Sequence, residues 1–223
     1  NEFSAALAEK GLTVMQIGCD PKADSTINLL GGTTPIPVMN YMREYGEDPE
    51  TIEDISKVGY GGVLCIETGG PTPGLGCAGR GIIATFSLLE DLELFETHQP
   101  DVVLYDVLGD VVCGGFSMPM RRGYADKVFV ITSGENMAIH AAANIAMAVE
   151  NFRNRGYASL GGIILNKREV PREEEKVREL AGDFHTQIIG QLDRSELVME
   201  AEEAGKVLLE YAPDSQMAEE YRK

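Results

Sequence analysis

Short apolar runs alternate with amphipathic stretches along the whole chain. The apolar runs predict buried strands at residues 12–17, 62–66, 101–106, 127–132, 161–166 and 187–190. Helical periodicity predicts helices at residues 1–10, 37–45, 49–56, 82–92, 136–153, 172–181, 195–204 and 215–223. Continuous apolar strands alternating with helices are typical of a parallel sheet covered on both faces. We therefore expect a doubly wound, mostly parallel α/β fold flanked by helices.

The chain carries no linker, internal repeat or low-complexity tract in its 223 residues. This length fits one domain with a substantial core, so we predict a single domain over residues 1–223. Right-handed crossovers in such a fold place the functional loops at the carboxyl ends of the strands.

Charge and composition narrow the classes of function. A formal net charge of −17 argues against a nucleic-acid binder, which needs a basic face. No apolar run reaches the roughly 20 residues that cross a bilayer, and no leader opens the sequence, so a cytoplasmic protein without membrane contact is expected. The cysteines are too few for a disulfide framework; they are Cys19, Cys65, Cys77 and Cys113.

Aspartates follow two of the predicted strands. Asp20 and Asp24, with Lys22 between them, follow the first strand, and Asp106 and Asp110 come after the run that begins at residue 101. An apolar strand that ends in Asp is used by nucleotide hydrolases to hold magnesium, usually through water. One such Asp can equally cap a turn, but two loops of the same design favour a nucleotide site.

The expected phosphate loop, GxxxxGK[ST], does not occur in the sequence. Gly205-Lys206 is followed by Val207 rather than by Ser or Thr. The simplest expectation is a fragment that lacks the first strand and the P-loop, and at this length we expect no productive ATP binding.

Cys77 and Cys113 each lie among glycines after a predicted strand. Iron–sulfur clusters need thiolates, usually four, and glycine lets the backbone approach their sulfurs. One subunit offers only these two, so a cluster would require a two-fold dimer. The alternative is that free cysteines are small buried hydrophobes, which suits Cys65 and, less well, Cys19. For Cys77 and Cys113 the residues alone leave both interpretations open.

Three long segments carry a specific resemblance. Residues 18–26 (GCDPKADST), 67–81 (ETGGPTPGLGCAGRG) and 105–115 (YDVLGDVVCGG) resemble the signature segments of the nitrogenase iron protein family, in its order and at about its spacing. The similarity runs over essentially the whole chain and includes residues 208–214 (LLEYAPD). It extends to nitrogenase-like ATP-dependent reductase components and implies a P-loop NTPase-like fold.

The resemblance implies a homodimer that carries one [4Fe-4S] cluster, held by Cys77 and Cys113 of both subunits. ATP and Mg²⁺ would gate electron delivery to a larger catalytic partner, of the nitrogenase molybdenum–iron type or nitrogenase-like. A ferredoxin or flavodoxin would supply the electrons. Neither nucleic acid nor membrane is an expected partner.

The resemblance also assigns roles in the nucleotide site. Asp20 and Asp24 match the first switch, and Lys22 matches the residue that reaches the nucleotide phosphates. Asp106 matches the magnesium-linked aspartate, and Asp110 the residue that positions or activates the attacking water. Since residues 106–113 join nucleotide to cluster, they form a route for coupling.

Three further residues match positions outside these loops. Asn166 matches the residue that recognises adenine, and Arg194 lies near the base pocket, in Asp-Arg-Ser where the family usually has Pro-Arg-Asp. Arg80 matches the arginine of the partner-docking face. Thr72 and Leu75 stand where the family commonly has Glu and Val.

Two other functions fit parts of the sequence. A ParA/MinD-like ATPase without redox chemistry would share the fold and the Asp loops but would not need both cysteines. An iron–sulfur scaffold or carrier would also bridge clusters between subunits. Iron content and ATP-dependent electron flow distinguish them.

Overall fold

The computed structural model describes residues 1–71, 78–109, 114–153 and 155–223. They adopt an α/β fold of mostly parallel sheets flanked by helices, which confirms the predicted fold class. The described residues form two compact units. The first comprises Asn1–Leu108, Gly114–Met118 and Glu196–Lys223; the second comprises Gly109 and Pro119–Ser195. The single domain over residues 1–223 stays a prediction.

Most helices and strands lie where the apolar pattern predicts them, but residues 56–58, 94–98 and 208–211 form elements that it does not predict. The strands are β1 Val14–Gly18, β2 Ser56–Val58, β3 Leu64–Glu67, β4 Val102–Asp106, β5 Lys127–Thr132, β6 Ser159–Asn166 and β7 Ile188–Leu192. The helices are α1 Glu2–Glu9, α2 Val38–Tyr45, α3 Ala78–Asp91, α4 Leu94–His98, α5 Asn136–Arg153, α6 Glu173–Asp183, α7 Glu196–Glu203, α8 Leu208–Tyr211 and α9 Gln216–Arg222. Among the described residues, no helix combines the length and apolarity that a membrane span requires.

The first unit contains a four-stranded sheet in the order β2-β3-β1-β4. Strand β1 pairs in parallel with β3 and β4, and only β2 runs antiparallel to its neighbour. One continuous core of this unit joins the first helix to the strands and to the last helices, through Ala5, Val14, Val63, Leu209 and Ala218. Segments far apart in the sequence therefore pack together in the first unit.

The second unit contains a parallel sheet in the order β5-β6-β7. Helices α5 and α6 cover one face, where Val130, Ile163 and Val177 pack together. Phe129 and Ile131 alternate with these positions and are 50% and 54% exposed. The prediction that this strand is buried on both faces is therefore wrong for β5, and the described strands hydrogen-bond as two sheets rather than one.

The helix predicted at residues 49–56 is wrong. Thr51 N and Oγ1 both donate to Asp54 Oδ2, at 3.0 and 3.1 Å, and cap the start of a helical part that is only a single 3₁₀ turn, Ile52–Asp54. Ser56–Val58 then pairs with β3 as a short edge strand.

Candidate functional site

Three neighbouring strands of the first unit end side by side. Gly18, the last residue of β1, is in register with Glu67 at the end of β3 and with Asp106 at the end of β4. The loop formed by residues 19–26 starts at this point, and Cys19 N donates to the Asp106 carbonyl oxygen at 2.9 Å. The sheet thus brings this loop to Asp106, as expected for carboxyl ends of parallel strands.

A buried hydrogen-bond chain fixes the far end of the 19–26 loop. Ser25 Oγ donates to Asp106 Oδ2 at 2.5 Å. Gln16 Nε2 donates to the Ser25 carbonyl and hydroxyl oxygens at 2.8 and 2.9 Å, and Gln16 Oε1 accepts from Ser4 Oγ at 2.5 Å. These partners satisfy a polar side chain inside an apolar strand. Neither Gln16 nor Ser25 is among the predicted site residues, although a glutamine inside an apolar strand is a usable signal in the sequence.

Asp20, Lys22 and Asp24 form an ionic group at the loop tip. Lys22 Nζ lies 3.6 Å from Asp20 Oδ2 and 3.3 Å from Asp24 Oδ2, and the Lys22 N–H donates to Asp20 Oδ1 at 2.8 Å. The hydrogen bond to Asp24 and the charge of Asp20 raise the pKa of Lys22. The lysine side chain is 69% exposed, so it is available to exchange these carboxylates for another anionic group.

Glu67 is a buried carboxylate that the sequence analysis did not select. Thr26 N and Oγ1 both donate to Glu67 Oε1, each at 2.7 Å. Glu67 Oε2 is buried and has no hydrogen-bond partner among the described residues. Burial, and secondarily the charges of Asp106 and Asp24, raises the pKa of Glu67 to about 7 against the lowering effect of Thr26. Its signal in the sequence is the same as for Asp106, because the apolar run 63–66 ends directly in Glu.

The donor set at these strand ends fits magnesium bound with a nucleotide. No three His, Cys, Asp or Glu side chains are grouped as a metal site within the part of the chain that the structure describes. Mg²⁺ in nucleotide sites needs only one or two carboxylates, since water and phosphate supply its other oxygens. Asp106 with the Ser25 hydroxyl offers such oxygens.

The predicted cluster ligands Cys77 and Cys113, together with Asp110, Thr72 and Leu75, lie outside the described residues. Their neighbours, however, include a close backbone contact. Gly79 follows Cys77 by two residues, and Gly115 follows Cys113 by two. A Cβ added at Gly115 would lie 2.2 Å from Gly79 Cα and 2.2 Å from its carbonyl oxygen. Only glycine at position 115 permits this approach.

Cys19 and Cys65 are fully buried free thiols. Burial raises the pKa of each thiol to about 12, which keeps both protonated. Cys65 packs in the core with Val14 and Val63. The environment of both residues agrees with the interpretation of them as small buried hydrophobes.

The predicted adenine-side residues lie in the second unit. Asn166 ends β6 and is in register with Leu192, the last residue of β7. Arg194 follows two residues later and is exposed. Between these positions Lys167 Nζ binds Asp193 Oδ1 at 2.7 Å. The sheet thus brings the loops of Asn166 and Arg194 to one edge, with Asp193 held by Lys167.

Arg80 is the third residue of α3 and is exposed. It shares this helical turn with Ile83, which is also exposed. The charge of Arg80 is therefore presented to solvent close to the Gly79–Gly115 contact.

Comparison with known proteins gives a family match over the full sequence. The model described as "4Fe-4S iron sulfur cluster binding proteins, NifH/frxC family" matches residues 1–223. A curated relative, "Nitrogenase iron protein" of Methanospirillum hungatei JF-1, is 50% identical over 222 residues, which cover 99% of this chain and 78% of the relative.

Solved structures match the fold at low sequence identity. The cell-division ATPase MinD of Pyrococcus furiosus superposes with a TM-score of 0.71 at 16% identity, covering 99% of this chain and 87% of that one. A ParA family ATPase from Chlorobium tepidum TLS gives a TM-score of 0.69 at 16% identity, covering 99% and 88%. These likenesses concern the fold alone.

Proposed function

Because the chain belongs to the NifH/frxC family of 4Fe-4S iron–sulfur cluster binding proteins, we propose that it is an ATP-dependent electron donor resembling the nitrogenase iron protein. It passes electrons to a nitrogenase or nitrogenase-like reductase, and ATP hydrolysis gates the transfer. The 50% identity to a nitrogenase iron protein over 99% of the chain supports this proposal at the level of the whole sequence.

The observation that supports the assignment of an iron–sulfur cluster is the close backbone contact between Gly79 and Gly115. Because each glycine lies two residues from one predicted ligand, their contact supports Cys77 and Cys113 as ligands of a single site. A homodimer then provides four thiolates for one [4Fe-4S] cluster on its two-fold axis. When bound, the cluster supplies one-electron redox chemistry.

The proposal of an ATP and magnesium site rests on the two loops that follow Gly18 and Asp106. In this proposal Lys22 leaves its carboxylates to contact the phosphates, and Asp20 belongs to the same switch. Asp24 and Asp106 hold magnesium-bound water, and Asp110 orients the attacking water. The Ser25–Asp106 hydrogen bond supports a shared site, since it joins the two carboxylate loops directly.

The remaining assignments concern the base and the partners. Asn166 recognises adenine and Arg194 lies beside the base, at the edge where β6 and β7 end. Arg80 contacts the catalytic partner, and its exposure supports that role. A ferredoxin or flavodoxin reduces the dimer between turnovers.

The test is anaerobic purification with iron analysis and electron paramagnetic resonance. We expect about four irons per dimer and a reducible cluster signal. Cys77→Ser and Cys113→Ser should each abolish both, because each removes two of four ligands from the dimer. Cys65→Ala is the matched control: it alters a buried thiol of the core and should retain iron and signal.

Two outcomes would overturn the proposal. An iron-free protein prepared without oxygen would favour a ParA/MinD-like ATPase without redox function. Transfer of the cluster to an apo-acceptor without ATP-dependent electron flow would favour a scaffold or carrier.

A further inference from the structure

Glu67, to which no role has been assigned so far, anchors the end of the 19–26 loop. Thr26 ends this loop, and both its amide and its hydroxyl donate to Glu67 Oε1 at 2.7 Å. Glu67 and Thr26 are both 0% exposed. Hydrogen bonds to a buried carboxylate are among the stronger ones in proteins, so these two bonds fix the loop end to β3.

The second carboxylate oxygen of Glu67 occupies space that exists because residue 18 is glycine. A Cβ at Gly18 would lie 2.0 Å from Glu67 Oε2 and 2.7 Å from Ser25 Cβ. The side chain therefore passes directly over the point where β1 becomes the loop. The carboxylate therefore packs against the beginning of the loop through Oε2 while it binds the end of the loop through Oε1.

The residues that follow β3 also contact the end of β1 and the loop. Thr68 N donates to the Gly18 carbonyl oxygen at 2.8 Å. A Cβ at Gly70 would lie 2.6 Å from Pro21 Cβ and 3.1 Å from Pro21 Cα. The segment that leaves β3 thus packs against the loop beside Lys22.

We infer that Glu67 is a positioning residue that locks the 19–26 loop to the exit of β3, so that the loop and residues 68–70 are displaced together. This second connection starts at β3, whereas the predicted coupling route at residues 106–113 starts at β4. That the loop binds a nucleotide rests on the proposed function; the hydrogen bonds that lock it do not.

The test measures opening of the loop without any nucleotide. Cys19 begins the loop and is fully buried, so its alkylation by N-ethylmaleimide reports local opening, and Cys65 in the core is an internal control. Labelling is carried out anaerobically on the protein as isolated and read by peptide mass spectrometry. Thr26→Val removes the hydroxyl donor at nearly constant volume, and Thr26→Ser retains it.

We expect Thr26→Val and Glu67→Ala to raise the labelling rate of Cys19 about tenfold, a change of roughly 1.4 kcal/mol in the opening equilibrium, with Cys65 unchanged. Thr26→Ser should stay within about twofold of the parent. If Glu67→Ala does not fold, Thr26→Val alone decides.

Unchanged Cys19 labelling in folded Thr26→Val would overturn the inference. A parallel rise at Cys65 would also overturn it, because it would indicate general loss of stability instead of release of the loop. Neither result depends on iron or ATP, so failure here is distinct from failure of the proposed function.

Discussion

The carboxyl ends of the strands differ sharply between the two units. In the first unit, the strands end at Gly18, Glu67 and Asp106, and Glu67 is fully buried. In the second, the residues directly after β6 and β7 are Lys167 and Asp193, whose side chains are 31% and 58% exposed. Both edges carry carboxylates, but Glu67 at the first edge is fully buried, whereas Asp193 at the second is exposed.

The difference lies in the group that meets the backbone in a close contact. Glycine at position 18 admits a carboxylate oxygen over the strand, so Glu67 is desolvated and its protonation depends on its neighbours. In the second unit a Cβ added at Gly134, just beyond β5, would lie 2.0 Å from Glu173 Cβ, a methylene carbon, and within β7 Gly190 has open space, with Ile164 Cγ2 nearest at 3.9 Å. The burial of a carboxylate against the strand backbone gives the first edge its sensitivity to charge.

The largest effect is expected from closing the space at Gly18. Gly18→Ala would put a methyl group 2.0 Å from Glu67 Oε2, and we expect a loss of about 3 kcal/mol in the free energy of unfolding. Gly190→Ala, within β7 of the second unit, is the control and should change the free energy of unfolding by less than about 0.5 kcal/mol. Urea denaturation followed by circular dichroism measures both, and equal losses would contradict the comparison.

The second-largest effect is expected on the pH dependence of the free energy of unfolding that is due to Glu67. Its pKa is raised from 4.5 to about 7 in the folded protein, so its contribution to stability is complete below pH 4.5 and is lost as pH rises through 7. Relative to the parent, Glu67→Gln should therefore gain roughly 2 to 3 kcal/mol between pH 5 and pH 8, on top of a constant offset. Denaturation of both proteins at the two pH values measures this gain. A pH-independent difference would show that the carboxyl titrates normally.

The smallest effect is expected at the exposed pair of the second unit. Asp193→Asn removes the charge that Lys167 Nζ contacts at 2.7 Å, and solvent-exposed pairs contribute about 0.5 kcal/mol. The loss should shrink further at 1 M salt because of screening. Denaturation at low and high salt checks it; a loss above about 2 kcal/mol would mean that this edge is as sensitive as the first.

Most of the fold followed from apolar periodicity, and the errors have local causes. Residues 136–153 form α5 with the predicted bounds, since an uninterrupted helical pattern leaves little choice. At residues 49–56 the helical part stops after a single turn, because the residues that follow pair with β3 as an edge strand. Periodicity contains no information about such tertiary pairing.

Residues of the site could be predicted only where an apolar run in the sequence ends directly in a carboxylate residue. Asp106 was selected because an apolar run ends in it, whereas Glu67 was missed despite the same pattern. The approach of Gly79 and Gly115 was beyond sequence reasoning, because it joins segments 36 positions apart and depends on packing. The assigned roles of Cys77, Cys113 and Asp110 stay predictions.

The core of the first unit has a consequence for biosynthesis. Glu2 accepts hydrogen bonds from Leu208 N at 2.9 and 3.0 Å, and the Phe3 and Tyr221 rings meet edge to face. These contacts cannot form until residues 208–221 have left the ribosome, whereas the second unit, apart from Gly109, is one continuous stretch. During translation, β5-β6-β7 with their helices can close first. The packing of α1 against α8 and α9 then forms only after these later residues have emerged.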